Sequence, residues 1–513
     1  MKKKESLIRS YYVVLFTAAI CIATPGLMAQ NDNVATAGKD KLQDQGMQTF
    51  DSYHDVGYDQ VLRPQSHFSS LKGWHNDPNG MVWYDGEYHL YFQHNPKDTK
   101  WGNMTWGHAI STDMVHWKQL PHAILPYGGG TIFSGTAVVD HNNSLGKQTG
   151  NIKTIVAFFS FAKQPFHQAA AYSTDKGRTF TLVNDGGPVV PNQGFNKGER
   201  DPKVFWHKAS EKWVMVLWVK RGKKDGTPEE KLGKVRFFTS DNLVDWEVAS
   251  DFNREWVFEC MDFVELPVDG NPDHKKWLLY DASFDYEIGD FDGKTFTTDK
   301  KVLKGDYGTD FYAAQSFNNS PDERTVMIGW MQEGKNSVFQ EAGMPFNQQM
   351  AFPTTMELHN TPDGLRLFRW PVKEIESLYV KSSKFNNLTV KKLSKKLSGV
   401  EAELIDLSIE FESADSMTIT IRGINVTYNG ISEQFACGDS QLAAPAIDGK
   451  VKLRVLLDRA SIELFANEGA TVSTSYSVPV ADDRSISISA DGDMRINSLI
   501  INELKSSWDS NLK

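Results

Sequence analysis

The residues best suited to chemistry begin in the segment Trp74–Gly80, which reads W-H-N-D-P-N-G. Pro78 pushes its predecessor into extended geometry, and the following Asn79-Gly80 supplies turn chemistry. Asp77 is therefore held at the end of an extended segment, beside an aromatic ring and two amides. A sugar site needs these groups: an apolar face, amides that bind hydroxyls, and a placed carboxylate. Taken alone, the segment also fits an aspartate that only caps a turn.

Two further acidic positions follow far along the chain. Asp201 comes directly after Arg200, and Glu259 comes directly before Cys260. In isolation, Arg200 and Asp201 fit a surface ion pair, and Glu259 fits a solvated loop residue. Their interpretation depends on whether the fold brings them to Asp77.

A repeat in the sequence indicates which elements position these residues. Five segments have the pattern of β-hairpins or strand pairs: Met81–Gln93, Ala137–Ser160, Val204–Val219, Asp262–Ser283 and Ala313–Gln332. Each is followed by a short polar and aromatic signature, and the aspartates of these signatures lie about 50 to 70 residues apart: Asp113, Asp175, Asp241, Asp292 and Asp363. This spacing suits four-stranded blades with variable loops. Because long helical periodicity is absent, the sequence predicts an all-β fold that begins with a five-bladed β-propeller over residues 58–372.

The first strand of each propeller blade lines the central axis, so the residues just before each hairpin should meet there. Those positions hold Asn76-Asp77, Phe133-Ser134, Arg200-Asp201, Glu259 and Asp310. Three carboxylates in one axial pocket suit retaining glycoside hydrolysis, which uses one carboxylate as nucleophile and one carboxylic acid as proton donor, about 5–5.5 Å apart. Repulsion and partial burial raise the pKa of such a donor. The cation of Arg200 is expected instead to keep Asp201 ionised.

A second, different domain is predicted after the propeller. A short helical piece is predicted at Val372–Leu378. The boundary between the domains is placed in residues 373–385, predicted as a linker, and residues 386–513 are predicted to form an antiparallel β-sandwich. Seven strands are predicted there: Leu407–Glu412, Met417–Ile421, Val451–Leu457, Ser461–Phe465, Thr471–Val478, Ser485–Ser489 and Asn497–Asn502.

An ordered set of motifs runs through both predicted domains: W-H-N-D-P-N-G at Trp74, W-G-N-M at Trp101, F-S-G-T at Phe133, R-D-P-K-V-F at Arg200, E-C at Glu259, G-T-D-F-Y-A-A-Q at Gly308, G-W-M at Gly329 and D-R-A-S-I-E-L-F-A-N at Asp458. Together they resemble glycoside hydrolase family 32, the β-fructosidases: invertases, inulinases, levanases and related fructosyltransferases. The resemblance covers nearly the whole chain after residue 58. It implies the same fold, a five-bladed propeller followed by a β-sandwich.

The family pattern also implies roles for the three carboxylates: Asp77 as nucleophile, Glu259 as general acid/base, and Asp201 as the transition-state stabiliser that holds fructosyl hydroxyls. The predicted substrate-binding residues are Asn76, Gln93, Trp101, Phe133, Ser134, Arg200, Asp310 and Trp330. Two positions depart from the family, because His75 stands where Met is usual and Cys260-Met261 replaces Cys-Pro. Neither removes a carboxylate, so the chemistry is expected to survive. Cys260 is expected to be a packed residue rather than a second nucleophile.

Composition excludes several other classes of protein. A net charge of -10 argues against nucleic acid and acidic membrane surfaces as partners. With 40% hydrophobic and 23% charged residues, the chain is typical of globular proteins. The sequence holds no metal cluster with ligand spacing and no glycine-rich phosphate loop, so no cofactor is expected. Two distant cysteines, Cys260 and Cys437, make no disulfide framework.

The N-terminal residues 1–29 have the pattern of a secretory signal, with a basic start followed by the apolar run Tyr11–Ile22. This run is too short for a comfortable membrane span. Cys21 is a poor lipoprotein attachment site because a bulky isoleucine precedes it, although it is not excluded. Residues 30–57 are polar and predicted to be a flexible lead-in. The protein is therefore expected to be secreted or periplasmic.

These observations predict a retaining β-fructosidase that removes terminal fructose from fructans or from sucrose. Exo action is favoured because a pocket on the propeller axis encloses a chain end. An endo-acting levanase or inulinase and a fructosyltransferase are alternatives within the enzymes. A fructan-binding protein on a degenerate propeller is the alternative from another class, and the intact Asp77 and Glu259 argue against it. The sequence leaves the choice between levan and inulin linkages, the oligomeric state and the role of the sandwich open.

Overall fold

The structure is a computed structural model that describes residues 57–333, 337–412, 416–492 and 494–508. The predicted signal at residues 1–29, with Cys21, and nearly all of the lead-in at 30–57 lie outside the described residues. Within the described residues, β-strands dominate, and no helix is long and apolar enough to cross a membrane.

The first three blades are antiparallel sheets in which each strand pairs with the next, and the first strand of the first blade also pairs in parallel with residues 346–347 of the fifth blade. The first blade contains β1 (Gly73–Tyr84), β2 (Glu87–Asn95), β3 (Thr105–Ser111) and β4 (Lys118–Ile124). The second contains β5 (Thr131–Asp140), β6 (Thr154–Ala162), β7 (His167–Ser173) and β8 (Thr181–Leu182). The third contains β9 (Arg200–His207), β10 (Lys212–Lys220), β11 (Gly233–Ser240) and β12 (Glu247–Arg254).

The fourth and fifth blades are joined by one parallel bridge between Val268 and Leu358. The fourth contains β13 (Asp262–Val268), β14 (Asn271–Tyr280), β15 (Asp285–Phe291), β16 (Phe296–Thr298) and β17 (Leu303–Lys304). The fifth is built on β18 (Phe311–Ser316), β19 (Val326–Met331), β22 (Thr354–Thr361) and β23 (Gly364–Pro371). A helix α1 (Val338–Glu341) and the short strands β20 (Phe346–Asn347) and β21 (Gln349–Met350) interrupt it. All five predicted hairpins are present.

The repeated polar signature forms the turn between the third and fourth strands of a blade. In the first blade, Asp113 Oδ1 accepts hydrogen bonds from the backbone N–H groups of Val115 and His116, at 3.0 and 2.8 Å. In the third blade the same role belongs to Asn242, whereas the neighbouring Asp241 pairs with Lys212 at 2.6 Å. A side chain that caps its own turn explains why the signature recurs at the blade period.

A buried polar network joins the inner strands beneath the site. Lys203 Nζ on β9 lies 2.8 Å from Asp262 Oδ1 on β13 and donates to Ser316 Oγ on β18 at 3.0 Å. Asn318 Nδ2 donates to the carbonyl oxygen of Ala137 at the second blade, at 2.8 Å. These bonds tie four of the blades at the axis, so side chains in the layer above them are held in a constant relation to one another.

The C-terminal strands form two facing sheets with an apolar core between them. One sheet has the order β24 (Tyr379–Thr389), β34 (Arg495–Leu504), β25 (Ile405–Glu412), β30 (Lys450–Leu457), β31 (Ser461–Ala466) and β32 (Thr471–Tyr476). The other has the order β29 (Ser440–Ala443), β28 (Gln434–Cys437), β27 (Ile424–Asn429), β26 (Met417–Ile421) and β33 (Ile486–Ala490). A 3-10 helix, Lys373–Leu378, precedes them, and helix α2 (Val390–Leu397) follows β24.

All seven strands predicted for the second domain are present, while β24, β27, β28, β29 and α2 were not predicted. Strand β24 begins inside the segment predicted as a linker and pairs with β34. The division of the chain at residues 372 and 386 stays a prediction.

The sandwich is bonded to the propeller along its edge strand β32. Tyr307 N donates to Val472 O at 2.8 Å, and Thr474 N donates to Asp306 Oδ1 at 3.1 Å. Gly308 lies so close to this strand that an added Cβ would be 2.0 Å from Thr474 O, which excludes any larger residue. The two sets of sheets are therefore joined as tightly as neighbouring strands.

Candidate active site

Asp77 is buried in β1 and surrounded by hydrogen-bond donors. Its Oδ2 accepts from Ser134 Oγ at 2.5 Å, and its Oδ1 accepts from Asn76 Nδ2 at 3.0 Å. Burial raises the pKa of Asp77, and these two hydrogen bonds oppose that shift because they favour the ionised form. The carboxylate is thus oriented by the first two blades and partly shielded from water.

Asp201 sits at the beginning of β9 with a backbone φ of +66°, in the left-handed region that non-glycine residues seldom adopt. Its N–H donates to Ser160 Oγ at 2.8 Å, and its Oδ2 accepts from Cys260 N at 2.9 Å. The second and fourth blades therefore hold this strained conformation in place.

The charge of Arg200 favours the ionised form of Asp201, as expected, but it does not outweigh the effect of burial on the pKa. Burial raises the pKa of Asp201 to about 7, although the charge of Arg200 opposes the shift. Arg200 Nε is 3.8 Å from Asp201 Oδ2, beyond hydrogen-bond distance, and the side-chain hydrogen bonds of Arg200 go to Glu259 and to Gly198 O.

Glu259 is the most exposed of the three carboxylates, with 19% of its side chain accessible. Its Oε2 accepts from Arg200 Nη2 at 2.5 Å and Nε at 3.0 Å, and its Oε1 accepts from Tyr312 OH at 2.8 Å. The guanidinium of Arg200 in turn lies 4.5 Å from the centre of the Trp218 ring. A carboxyl group held at the rim in this way is accessible to a bound molecule and to solvent.

The Cys260 thiol lies between the two buried aspartates. Its Sγ is 3.4 Å from Asp77 Oδ2 and 3.5 Å from Asp201 Oδ2. Burial, reinforced by the neighbouring carboxylates, raises the pKa of this thiol well above its usual value. The group stays protonated and is no nucleophile, which agrees with the prediction of a packed residue.

The three carboxylates thus form one connected cluster, through Cys260 between the aspartates and through Arg200 between Asp201 and Glu259. Two of the carboxylates are buried and one is at the rim, so the cluster holds carboxyl groups in different environments. Across residues 57–333, 337–412, 416–492 and 494–508, no group of three or more His, Cys, Asp or Glu side chains is arranged to hold a metal ion.

Comparison with known proteins shows the family of the chain. The family model for the N-terminal domain of glycosyl hydrolases family 32 matches residues 67–371. The model for the family's C-terminal domain matches residues 374–503. The chain belongs to glycoside hydrolase family 32. This confirms the resemblance noted in the sequence.

Relatives within family 32 cover most of the chain. A levanase of Bacillus subtilis (strain 168) is 38% identical over 504 residues, which cover 88% of this chain and 72% of that protein. An extracellular exo-inulinase of Aspergillus awamori is 33% identical over 504 residues, covering 83% of this chain and 91% of that protein. The crystal structure of exo-inulinase from Aspergillus awamori superposes with a TM-score of 0.77 at 29% identity, covering 88% of this chain and all of that one. The predicted propeller followed by a β-sandwich is thereby confirmed.

Most residues predicted from the family 32 motifs to bind substrate lie around the cluster. Asn76 and Ser134 bind Asp77, as described above, and Arg200 binds Glu259. Gln93 donates from its side chain to the Asn79 side-chain oxygen at 3.1 Å, in the amide orientation of Asn79 that satisfies its neighbours. Gln93 therefore supports the turn of the W-H-N-D-P-N-G motif from beneath.

The predicted aromatic residues form two groups on either side of the carboxylates. Trp330 lies edge-on to Trp74 and to Tyr312, with ring centres 6.0 Å apart in each case. Trp101 lies edge-on to Phe133 at 5.9 Å. Trp101 is 59% exposed, so it stands at the rim, whereas Trp330 is 6% exposed and lines the interior.

Asp310 differs from the expectation for an axial residue. It directly precedes β18, at the predicted phase of the fifth blade, but its Oδ2 accepts from Tyr476 N at 2.9 Å and from Thr309 Oγ1 at 2.5 Å. These bonds tie the carboxylate of Asp310 to the sandwich instead of to the carboxylate cluster. The reason is the close approach of β32 to this segment, which offers an unpaired backbone donor.

Two site residues were missed in the sequence. Tyr312, which binds Glu259, lies two positions after Asp310 in the motif G-T-D-F-Y-A-A-Q, and strand alternation places residues two apart on one face. Gln348, whose Oε1 accepts from Trp330 Nε1 at 3.1 Å, carries no sequence signal, because its position depends on the short strands β20 and β21.

Proposed function

We propose that this family 32 enzyme is a retaining β-fructosidase that hydrolyses terminal β-D-fructosyl linkages of fructans, either levan or inulin, and of sucrose. The observation that carries the proposal is the convergence of Asp77, Asp201 and Glu259 into one cluster from three different blades. The names of the relatives, levanase and exo-inulinase, support fructans as the substrate class.

The reaction begins with attack of Asp77 on the anomeric carbon of the terminal fructosyl unit. Glu259 gives its proton to the glycosidic oxygen as the bond from that oxygen to the anomeric carbon breaks, so the rest of the substrate leaves as an alcohol. Glu259 then takes a proton from a water molecule, whose oxygen attacks the same carbon and releases Asp77. Two displacements at one carbon retain its configuration.

Asp201 holds hydroxyl groups of the fructosyl ring during both steps. An ionised carboxylate accepts hydrogen bonds from adjacent hydroxyls, and these bonds strengthen as positive charge develops on the ring. Because Cys260 N and the Asp201 backbone conformation orient this carboxylate before substrate arrives, little reorganisation is needed in the transition state.

Exo action is part of the proposal. Lys203 and Asp262 form a buried ion pair within three positions of Asp201 and Glu259, which supports an axis that is closed beneath the cluster and a site in the form of a pocket. A pocket of this kind receives a chain end, whereas cleavage within a chain requires a groove open at both ends.

Product analysis tests this function. The purified protein is incubated separately with levan, inulin and sucrose, and products are followed from the earliest time points. Free fructose as the first and dominant product supports the proposal. Early release of oligosaccharides indicates an endo-acting enzyme, products longer than the substrate indicate a fructosyltransferase, and binding without any product indicates a fructan-binding protein.

The variant Asp77→Asn tests the role of the nucleophile. It keeps the size of the side chain and removes its charge, and a loss of about three orders of magnitude or more in kcat is expected, as for other catalytic groups. Retention of more than about a tenth of the wild-type rate, in a preparation shown to be free of deamidation, would remove Asp77 from this role.

Secretion belongs to the same proposal. Residues 1–29 have the pattern of a signal, and a relative is described as extracellular. Sequencing the N-terminus of the protein recovered from the producing cells tests it, and a chain that still begins at Met1 contradicts it.

A further inference from the structure

A row of three aromatic rings lies beside the carboxylate cluster. Phe133 directly precedes Ser134, whose hydroxyl binds Asp77. The ring of Phe133 lies edge-on to Trp101 on one side, at 5.9 Å, and edge-on to Phe166 on the other, at 5.4 Å. Phe133 and Phe166 are half-buried and Trp101 is exposed, so the row Trp101, Phe133 and Phe166 borders the mouth of the pocket.

The far end of this row lies beside the arginine that holds the acid/base. A Cβ added to Gly198 would be 4.0 Å from Phe166 Cε2 and 3.2 Å from Arg200 Nη1. Arg200 Nη1 also donates to Gly198 O at 2.7 Å, and the same guanidinium binds Glu259. Phe166 therefore lies on the Glu259 side of the mouth. In retaining hydrolysis the acid protonates the departing oxygen, so the leaving group must extend on this side.

Phe166 is held rigidly by the loop that precedes β9. Its N–H donates to Lys197 O at 2.8 Å, and its carbonyl oxygen accepts from Asn192 Nδ2 at 3.0 Å. The loop itself is organised by the fully buried carboxylate of Glu199, which accepts from the N–H groups of Gln193 and Phe195, at 2.5 and 2.8 Å. Because hydrogen bonds fix the backbone of Phe166, its ring loses little conformational entropy when a ligand binds to its surface.

We propose that Phe166 is a specificity-determining residue that binds the fructan chain beyond the bond being cleaved, continuing the surface of Trp101 and Phe133. The inference rests on the proposed function. Its occupant is the leaving portion of a fructan, because the row is continuous with the pocket and lies on the side where that portion departs. Aromatic rings bury the apolar faces of ligands, and these contacts contribute to the binding free energy. Sucrose is too short to make full use of this surface.

The variant Phe166→Ala tests the inference against a series of substrates of increasing length. The expected result is a loss of about 5- to 20-fold in kcat/KM on levan or inulin, mainly through KM, with less than about a twofold change on sucrose. Intermediate losses on short fructan oligosaccharides should grow with chain length and then level off. The variant Phe166→Leu keeps an apolar side chain against Phe133 but removes the flat ring, and the same selective loss is expected.

Phe195→Ala is the matched control. This ring stands on the same loop, 37% exposed, but faces Lys234 and Arg236, whose cationic groups lie 4.6 and 4.8 Å from its centre. Phe195→Ala is expected to leave kcat/KM unchanged on both fructan and sucrose. Equal losses on sucrose and fructan in both Phe166 variants, or no loss on either substrate, would overturn the inference. A wild-type protein that releases no fructose would instead contradict the proposed function, which keeps the two failures distinct.

Discussion

Arg200 binds Glu259, 59 positions away in the chain, and not the adjacent Asp201: its Nη2 and Nε lie 2.5 and 3.0 Å from Glu259 Oε2, while its Nε lies 3.8 Å from Asp201 Oδ2. The left-handed backbone of Asp201 turns the two neighbouring side chains apart. The guanidinium charge is therefore directed to the carboxyl group at the rim, and the pKa of Asp201 is determined mainly by its burial.

The loss of rate on replacing Glu259, the proposed acid/base, should depend on the leaving group of the substrate. In Glu259→Gln, substrates with poor leaving groups are expected to lose kcat by about two to four orders of magnitude, because only they need a proton to depart. An aryl β-fructoside with a good leaving group should lose far less in its first step. Comparing kcat/KM for this substrate and sucrose is the measurement. Equal losses on both would assign Glu259 to positioning instead of proton transfer.

Asp201→Asn should lower kcat strongly and change KM little, alike for good and poor leaving groups, because the lost bonds are strongest in the transition state. Since burial raises the pKa of Asp201 to about 7 and the ionised form is the one that accepts hydroxyls, wild-type kcat/KM is expected to fall as the pH drops through about 7. In the variant this acid limb should move to lower pH. A defect confined to KM contradicts the stabiliser role, and an acid limb that does not move shows that the ionisation of Asp201 does not set it.

The ion pair beneath the site should be essential for stability. Lys203 and Asp262 are at most 1% exposed, and Asp262 Oδ2 also accepts from Tyr280 OH at 2.9 Å. Lys203→Met leaves a buried carboxylate without its cation, and a loss of about 3–5 kcal/mol in the free energy of unfolding is expected.

Chemical denaturation measures this loss. The double variant Lys203→Met with Asp262→Asn serves as the control, since it removes the unpaired charge, and it should be more stable than Lys203→Met alone. Equal stability of the single and double variants would show that the buried charge is not the cause.

His67 should make the stability depend on pH at the interface with the sandwich. Its ring lies 2.8 Å from Asp458 Oδ2 and 3.6 Å from Glu463 Oε2. Burial lowers the pKa of His67, but its hydrogen bond to Asp458 and the charges of both nearby carboxylates outweigh this and raise the pKa to about 9. The folded state thus binds the proton more tightly than the unfolded chain, whose value is about 6.5. The stabilisation, about 3 kcal/mol, is complete below pH 6.5 and is lost as the pH rises towards 9.

Denaturation midpoints between pH 6 and 9.5 test this expectation. His67→Gln should lower the stability at pH 6 and flatten its fall at higher pH. His359→Gln is the control, because this histidine lies at the surface between Glu357 and Asp269, and the fall should remain. A wild-type protein equally stable at pH 6 and 9.5 would contradict the prediction.

Local patterns in the sequence were sufficient for the five hairpins and for the positions of the three carboxylates. Strand alternation and turn residues predicted the five hairpins, because the two-residue period of a strand is written directly in the order of side chains. The same phase in each repeat led to Asp77, Asp201 and Glu259, since the inner strands of a propeller share one axis. Strands β28 and β29 escaped because each is only four residues long and is stabilised by its neighbours in the sheet.

What the sequence by itself determined is therefore the order of the strands, the family, and the positions that supply the three carboxylates. Only the tertiary structure decided what each of those groups touches. Arg200 binds Glu259, the Cys260 thiol joins Asp77 to Asp201, and Asp310 binds the sandwich through Tyr476 N. The physical reason is that hydrogen bonds and burial depend on backbone angles and on partners more than 50 residues away, none of which a local pattern encodes.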